Sequence, residues 1–114
     1  MATSYLILGQ SAPANTSNAD LYASPTSTQS VVSTIAITNT TTSSALATVY
    51  VRKASGGVPA SATASNALVY NQTIPAYTTQ TYTLGVTMAA SDVITVASSV
   101  TSALTFQAFG SQIA

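Results

Sequence analysis

Short runs that alternate between apolar and polar residues recur along the chain, and this two-residue period restricts its fold more than any other feature. In the clearest run, residues 31–39, Val31, Ile35 and Ile37 fall on one face of a strand, and the other face, with Val32, is less apolar. The runs are rich in Val, Ile, Thr and Tyr and end at Ser, Asn, Pro or Gly, and helical periodicity is not convincing anywhere. The chain is therefore predicted to be all-β.

About eight strands are predicted, at spacings of roughly ten residues. They are residues 4–9, 20–24, 31–39, 45–53, 67–74, 78–88, 92–98 and 103–113. In the last five long runs the residues expected to face inward are Ala47, Val49, Val51, Leu68, Tyr70, Gln72, Ile74, Tyr82, Leu84, Ile94, Val96, Leu104, Phe106 and Ala108. Strands without helices between them indicate antiparallel pairing, so we expect a β-sandwich, Ig-like or jelly-roll-like.

The length of 114 residues allows one domain, which we place at 1–114 with a polar N-terminal arm. Residues 54–66 read ASGGVPASATASN and have almost no large side chains. Such a segment buries too little apolar area to offset its own ordering entropy. We therefore expect a mobile loop at 54–66.

Charge is nearly absent from the sequence. The chain has two basic and two acidic residues and no net charge, whereas 20 Thr and 17 Ser supply most of its polarity. Two basic residues cannot neutralise the several phosphates that non-specific nucleic-acid binding requires. No basic segment precedes an apolar one at the N-terminus, and no run approaches 18 apolar residues, so we expect neither a signal peptide nor a membrane helix. The absence of cysteine fits a reducing cytoplasm.

The sequence offers no visible active site. Asp20 and Asp92 are the only side-chain carboxylates, and each directly precedes or begins a predicted strand, where we expect it to accept backbone N–H groups in a turn. Without histidine or cysteine, none of the serines can join a conventional nucleophilic pair. Two isolated aspartates also fall short of a calcium ligand set. We expect no enzymatic activity, no metal and no cofactor.

Three residues are candidates for contact with a partner. Arg52 and Lys53 form the only basic pair, at a strand end, and could meet an acidic patch on another subunit or could serve as solvated ends. Phe106 and Phe109 are three residues apart, so a strand would place them on opposite faces. We therefore predict that Phe109 is exposed to a neighbouring subunit.

The scarcity of charge also bears on assembly. Soluble monomers usually avoid association through mixed surface charge and a net charge away from zero, and this chain has neither. Charged residues that would protect the edges of a sheet are nearly absent. We therefore expect a homo-oligomer or a docked protein. Both a dense coat protein and a secreted adhesive module rich in Ser and Thr are consistent with this composition.

Six short motifs, spread over nearly the whole chain, are similar to motifs of a known group of proteins. They are MATSYLILGQSAPA, DLY, STIAITN, VYVR, TLGVTMAASDVITV and LTFQAFGSQI, in that order. In these motifs the chain resembles small virion structural proteins of tailed bacteriophages. It departs from them in having Gln112 at a position where an acidic residue is expected and in its Ser/Thr-rich segment 54–66.

The resemblance implies a capsid decoration, or cement, protein that is made in the host bacterial cytoplasm and carried in the virion. Its partners would be the major capsid protein or another virion protein, together with further copies of itself, and not nucleic acid or membrane. Two alternatives stay open. The first is a tail, fibre or head-to-tail component of the phage, and the second is an adhesive or carbohydrate-binding β-sandwich.

Overall fold

The computed structural model describes residues 3–114. Within that range it contains ten strands, one 3-10 helix and no α-helix. Every predicted strand is present, with ends that agree to within two residues. The strands are β1 (Thr3–Ser11), β2 (Ala19–Ala23), β3 (Gln29–Asn39), β4 (Ala45–Arg52), β5 (Ala54–Ser55), β6 (Val58–Pro59), β7 (Ala67–Ile74), β8 (Thr79–Met88), β9 (Val93–Ser98) and β10 (Leu104–Ile113), and the 3-10 helix is Ala64–Asn66.

The eight long strands form two four-stranded antiparallel sheets. Sheet A has the order β1-β10-β3-β8, and sheet B has the order β2-β9-β4-β7. The pairing is nested, because the first long strand pairs with the last, the second with the second last, and so on to the central pair β4 and β7. A rolled-up hairpin of four strand pairs is the topology of a jelly roll. The predicted β-sandwich is thus confirmed, and its topology is the jelly-roll alternative.

One apolar core fills the space between the sheets. It is built from the inward residues of the strands of both sheets, and Phe106 of β10 is its largest fully buried side chain. The expected inward residues of β4, β9 and β10 lie in this core or pack against it. Burial of such alternating faces is the main force that holds two sheets together.

At some positions the simple inward–outward alternation predicts the wrong face, and β-bulges are the reason. Ser33 is an extra residue of β3 relative to β10, so Val32, and not Val31, shares the buried face with Ile35. In β8, Leu84 and Gly85 together oppose Ser33, and Gly85 has a φ of 63°. Each extra residue shifts the inward face by one position.

β7 and β8 each contain inward predictions that this shift overturns. In β7 an extra residue at Tyr70 or Asn71 leaves Val69 buried, whereas Leu68, Tyr70 and Gln72 are exposed. In β8, Leu84 is exposed, while Tyr82 is partly buried against the core as predicted. The three threonines Thr79, Thr81 and Thr83 face outward.

Residues 54–66 contain regular secondary structure where the sequence predicted only a loop. β5 and β6 form a small hairpin whose turn is Gly56-Gly57, with φ values of 61° and 80° that suit glycine. The 3-10 helix follows, and Asn66 accepts a hydrogen bond from the backbone of Thr63 at 3.1 Å. The predicted mobility of the segment remains a prediction. Of the predicted N-terminal arm, Met1 and Ala2 lie outside the described residues, and the part from Thr3 onward is strand β1 of sheet A.

Candidate functional site

The four charged residues are distributed very unevenly over the fold. Asp20 lies in β2, Arg52 ends β4, Lys53 follows it, and Asp92 precedes β9. All four therefore belong to sheet B or to the segments next to its strands. The four strands of sheet A contain no charged residue.

Arg52 is engaged within the chain. Its Nε donates to the carbonyl of Ala60 at 2.6 Å, and its Nη1 donates to Asp20 Oδ1 at 3.3 Å and to Thr95 Oγ1 at 3.2 Å. These bonds join β4, β2, β9 and the segment that contains the small hairpin. A partner would have to compete with them in order to bind the guanidinium group. The role predicted for Arg52 as a partner contact stays a prediction.

The two aspartates have different roles, and the turn prediction is wrong for Asp20. Asp20 lies inside β2 and accepts from Arg52 and from Thr95 Oγ1 at 2.9 Å, because antiparallel pairing with β9 sets it beside these side chains. Asp92 does accept backbone N–H groups. It binds that of Ala89 in its own turn at 2.9 Å and that of Ala54 at 2.8 Å.

Lys53 is exposed and lines a cleft between the ends of the two sheets. The cleft has a volume of about 570 Å³ at the end of the sandwich, and its walls are mainly apolar. Its lining includes Val31, Val51, Lys53, Met88, Asp92 and Ile113. Asp92 is buried and both of its oxygens accept backbone hydrogen bonds, so Lys53 is the exposed charged group of this cleft.

Phe109 lies on the outer face of sheet A, opposite in direction to buried Phe106, and it is half-buried where the sequence predicted an exposed side chain. The register places Ile7 of β1 directly across from Phe109, and Tyr5 lies two residues from Ile7 on the same face. Tyr5 is 85% exposed and Ile7 is 55% exposed. The predicted contact residue is therefore part of an apolar cluster that spans β1 and β10.

The rest of this face is neutral and polar. Gln10 Nε2 donates to Gln107 Oε1 at 3.0 Å, and the hydroxyls of Thr38 and Thr79 lie 2.9 Å apart. We call the whole outer surface of sheet A the uncharged face. Its members, by cross-strand register, are Tyr5, Ile7, Gln10, Val31, Thr34, Ala36, Thr38, Thr79, Thr81, Thr83, Thr87, Thr105, Gln107, Phe109 and Ser111.

The outer face of sheet B is covered at its centre by its own side chains and neighbouring segments, although Leu46 of β4 and Leu68 and Tyr70 of β7 are exposed. Thr95 and Thr48 point outward from β9 and β4, yet they are only 2% and 5% exposed. Thr95 is held by Asp20 and Arg52, and the hydroxyl of Thr48 accepts a hydrogen bond from the backbone of Asn71 at 3.1 Å. The centre of the outer face is thus more exposed in sheet A than in sheet B.

The sequence did not identify Tyr5 and Ile7 as contact candidates. The apolar run Tyr5–Leu8 was visible, but its place at an edge and beside Phe109 follows from pairing across the full length of the chain. No group of three metal-ligating side chains occurs in the part of the chain that the structure describes. In the same part, no helix is long and apolar enough to cross a membrane.

No protein-family description matches this chain, and no curated protein matches it. Among solved structures, it is similar to a chain in the structure of infectious bursal disease virus Gx strain, with a TM-score of 0.54 and 11% sequence identity over 97% of this chain. A chain of the Gt strain gives a TM-score of 0.47, 10% identity and 96% coverage. This chain spans about a third of the length of those chains (32% and 31%). The first similarity is one of fold.

Proposed function

We propose that this protein is a structural component of a tailed-phage virion, and specifically a decoration protein that binds the capsid in many copies and stabilises it. The observation that carries the proposal is the uncharged face, a broad open surface with an apolar cluster at one side. Exposed apolar clusters of this kind mark interaction sites. The motif order of the sequence and the fold similarity to a chain of a virus structure support the same role.

The jelly roll is compatible with this role but does not select it. The topology recurs in viral capsid domains and in lectin domains, so the fold leaves a carbohydrate-binding module as the second candidate. The uncharged face favours a protein partner, because apolar Tyr5, Ile7 and Phe109 lie beside amide and hydroxyl groups that can donate and accept hydrogen bonds. A mixture of this kind is typical of protein interfaces.

The proposed mechanism is mechanical. The uncharged face of each copy covers the junction between neighbouring capsid subunits, and many modest contacts act together over the symmetric shell. Phe109 supplies an apolar anchor in this arrangement, and Lys53, at the cleft, supplies the charged contact that Arg52, already engaged with Asp20, is less free to make. The major capsid protein is the proposed partner.

The copy number in purified particles tests the role. Hundreds of copies per virion would support decoration, whereas about a dozen would indicate a tail, fibre or head-to-tail component, consistent with the geometry of those structures. Absence from the particles would contradict a virion role. Binding of the free protein to a defined set of glycans, with no binding to purified shells, would favour the carbohydrate-binding alternative.

A further inference from the structure

The two sheets have four edge strands, and three of them carry features that discourage pairing with another chain. β2 is five residues long, contains charged Asp20 and has a register shift next to it. β7 is interrupted by the extra residue near Asn71, whose φ is 49°. β8 contains a bulge at Gly85, and its regular part, Thr79–Thr83, exposes threonine hydroxyls where β1 exposes apolar side chains. Short edges, charges and bulges are the usual protections of an open sheet edge.

The edge of β1 lacks all of these features over its first five residues. Thr3–Ile7 pairs in continuous register with β10, carries no charge and contains no proline, and its register shift comes only at Leu8. The other side of β1 has no strand paired to it within residues 3–114. Every second residue of such an edge directs its backbone N–H and C=O groups away from the sheet.

The side chains of this segment are exposed on both faces of the sheet. Tyr5 and Ile7 lie on the outer face, and Leu6, which points the other way, is still 40% exposed. Together, these three side chains leave on the order of 300 Å² of mostly apolar surface in water. An unprotected edge with apolar residues on both faces is the template for an added strand.

We propose that the added strand is β1 of a second copy, paired antiparallel across a two-fold axis so that sheet A continues through both copies as eight strands. If the axis passes at Tyr5, each Tyr5 lies opposite its counterpart, and Thr3 of one copy lies opposite Ile7 of the other. The neutral strand presents nothing that would repel an identical strand. Two-fold pairs of this kind are the commonest oligomers.

The area is consistent with a second copy as the occupant. A specific interface buries about 1,200–2,000 Å² in total. Complete burial of the three exposed side chains in both copies would supply about half of the lower value at most, and the backbones of the two strands with Thr3, Ser4 and the adjacent Phe109 are available for the rest. The inference concerns pairs of this chain in solution and does not depend on the proposed virion role.

Because the chain contains no cysteine, single cysteines can test the register directly. Directly opposed residues of an antiparallel pair have Cα atoms about 4.5–5.5 Å apart, within the range that a disulfide bridges. Tyr5→Cys is expected to give a covalent dimer under mild oxidation at micromolar protein. Thr3→Cys, the matched control, is expected to give at least fivefold less dimer because its opposite residue is Ile7.

The size of the unmodified protein completes the test. Sedimentation should show a dimer that Ile7→Lys converts to monomer, whereas Val58→Lys, at an exposed position of the small hairpin, should leave the dimer intact. Circular dichroism would confirm that both variants are folded. A wild-type monomer at all concentrations, or equal cross-linking at positions 3 and 5, would overturn the proposal. Protection of the β1 amides from hydrogen exchange only on phage particles would instead identify a shell protein as the occupant, and would also overturn it.

Discussion

The two sheets of this sandwich use their polar residues in opposite ways. In sheet B, Asp20, Arg52 and Thr95 bond to one another across the outer surface, and Thr95 is buried. In sheet A, hydroxyls and amides lie on an open surface beside exposed Tyr5 and Ile7. The low charge of the chain is therefore not a uniform property. Two of the four charged residues bond to each other across sheet B, and the strands of sheet A contain no charged residue.

The two phenylalanines of β10 give the largest expected contrast between buried and open surface. Phe106→Ala should lower the free energy of unfolding by about 3–5 kcal/mol, because it leaves a cavity in the core. Phe109→Ala, three residues away on the uncharged face, should lower it by about 1 kcal/mol or less. Urea unfolding of both variants measures this. Equal losses would mean that the uncharged face is part of a core.

A charge placed on each sheet distinguishes their roles in docking. Phe109→Lys should weaken attachment to purified shells by about tenfold or more, since the new charge loses its water in the interface. Leu46→Lys, on the outer face of sheet B, should have little effect. Co-sedimentation with shells that lack the protein measures both. A larger loss for Leu46→Lys would move the docking surface to sheet B.

Removal of the basic residues tests whether the charges serve the fold of sheet B. Arg52→Ala should lower the free energy of unfolding by about 1–2 kcal/mol, because Asp20, Thr95 and the Ala60 carbonyl lose a donor. Lys53→Ala should leave stability unchanged. If Lys53 contacts the shell, its loss should weaken attachment two- to fivefold, a modest effect expected of a rim charge. Unchanged attachment would contradict a contact between Lys53 and the shell and would indicate that Lys53 is simply a solvated residue.

Ionic strength should have a smaller effect on attachment to the shell than these substitutions. Raising it from about 0.01 M to about 1 M shortens the Debye length from about 30 Å to about 3 Å, which removes long-range charge interactions. Attachment through the uncharged face should change by about twofold or less over this range, as measured by shell binding. A steep fall in affinity would show that charged contacts dominate.

The smallest expected effect lies in the interior of sheet A. Burial raises the pKa of the Tyr82 hydroxyl above its usual value of 10.0. The folded state thus holds this proton more tightly than the unfolded state, so the associated stability is present below about pH 10 and is lost as the pH rises through the pKa of the folded state. Tyr82→Phe should remove this part of the alkaline dependence of stability, as measured by unfolding experiments between about pH 8 and 11.

Strand positions were predictable, because each alternating run of this chain ends at turn-forming residues. The inward faces of β3, β7 and β8 were not, because a bulge such as that at Ser33 changes the alternation without an apolar signature. The nested strand order could not be predicted from the alternating sequence pattern either, since many sandwich topologies share that pattern. Of the candidate site, Phe109 could be predicted from its spacing to Phe106, but the pairing of Asp20 with Arg52 joins residues 32 positions apart on different strands.

The nested pairing also determines the order in which the chain can complete its fold during synthesis. β1 is made first, and its partner β10 is made last. At about 5–20 residues per second, the segment with Tyr5, Leu6 and Ile7 waits for several seconds on the ribosome with both of its edges open. The pairing of β1 with β10 joins strands about 100 residues apart, and contacts of such high sequence separation are among the slow ones to form. During that interval neighbouring nascent chains present identical open strands to one another, so chaperone supply and translation rate should govern how much of the protein reaches its folded form.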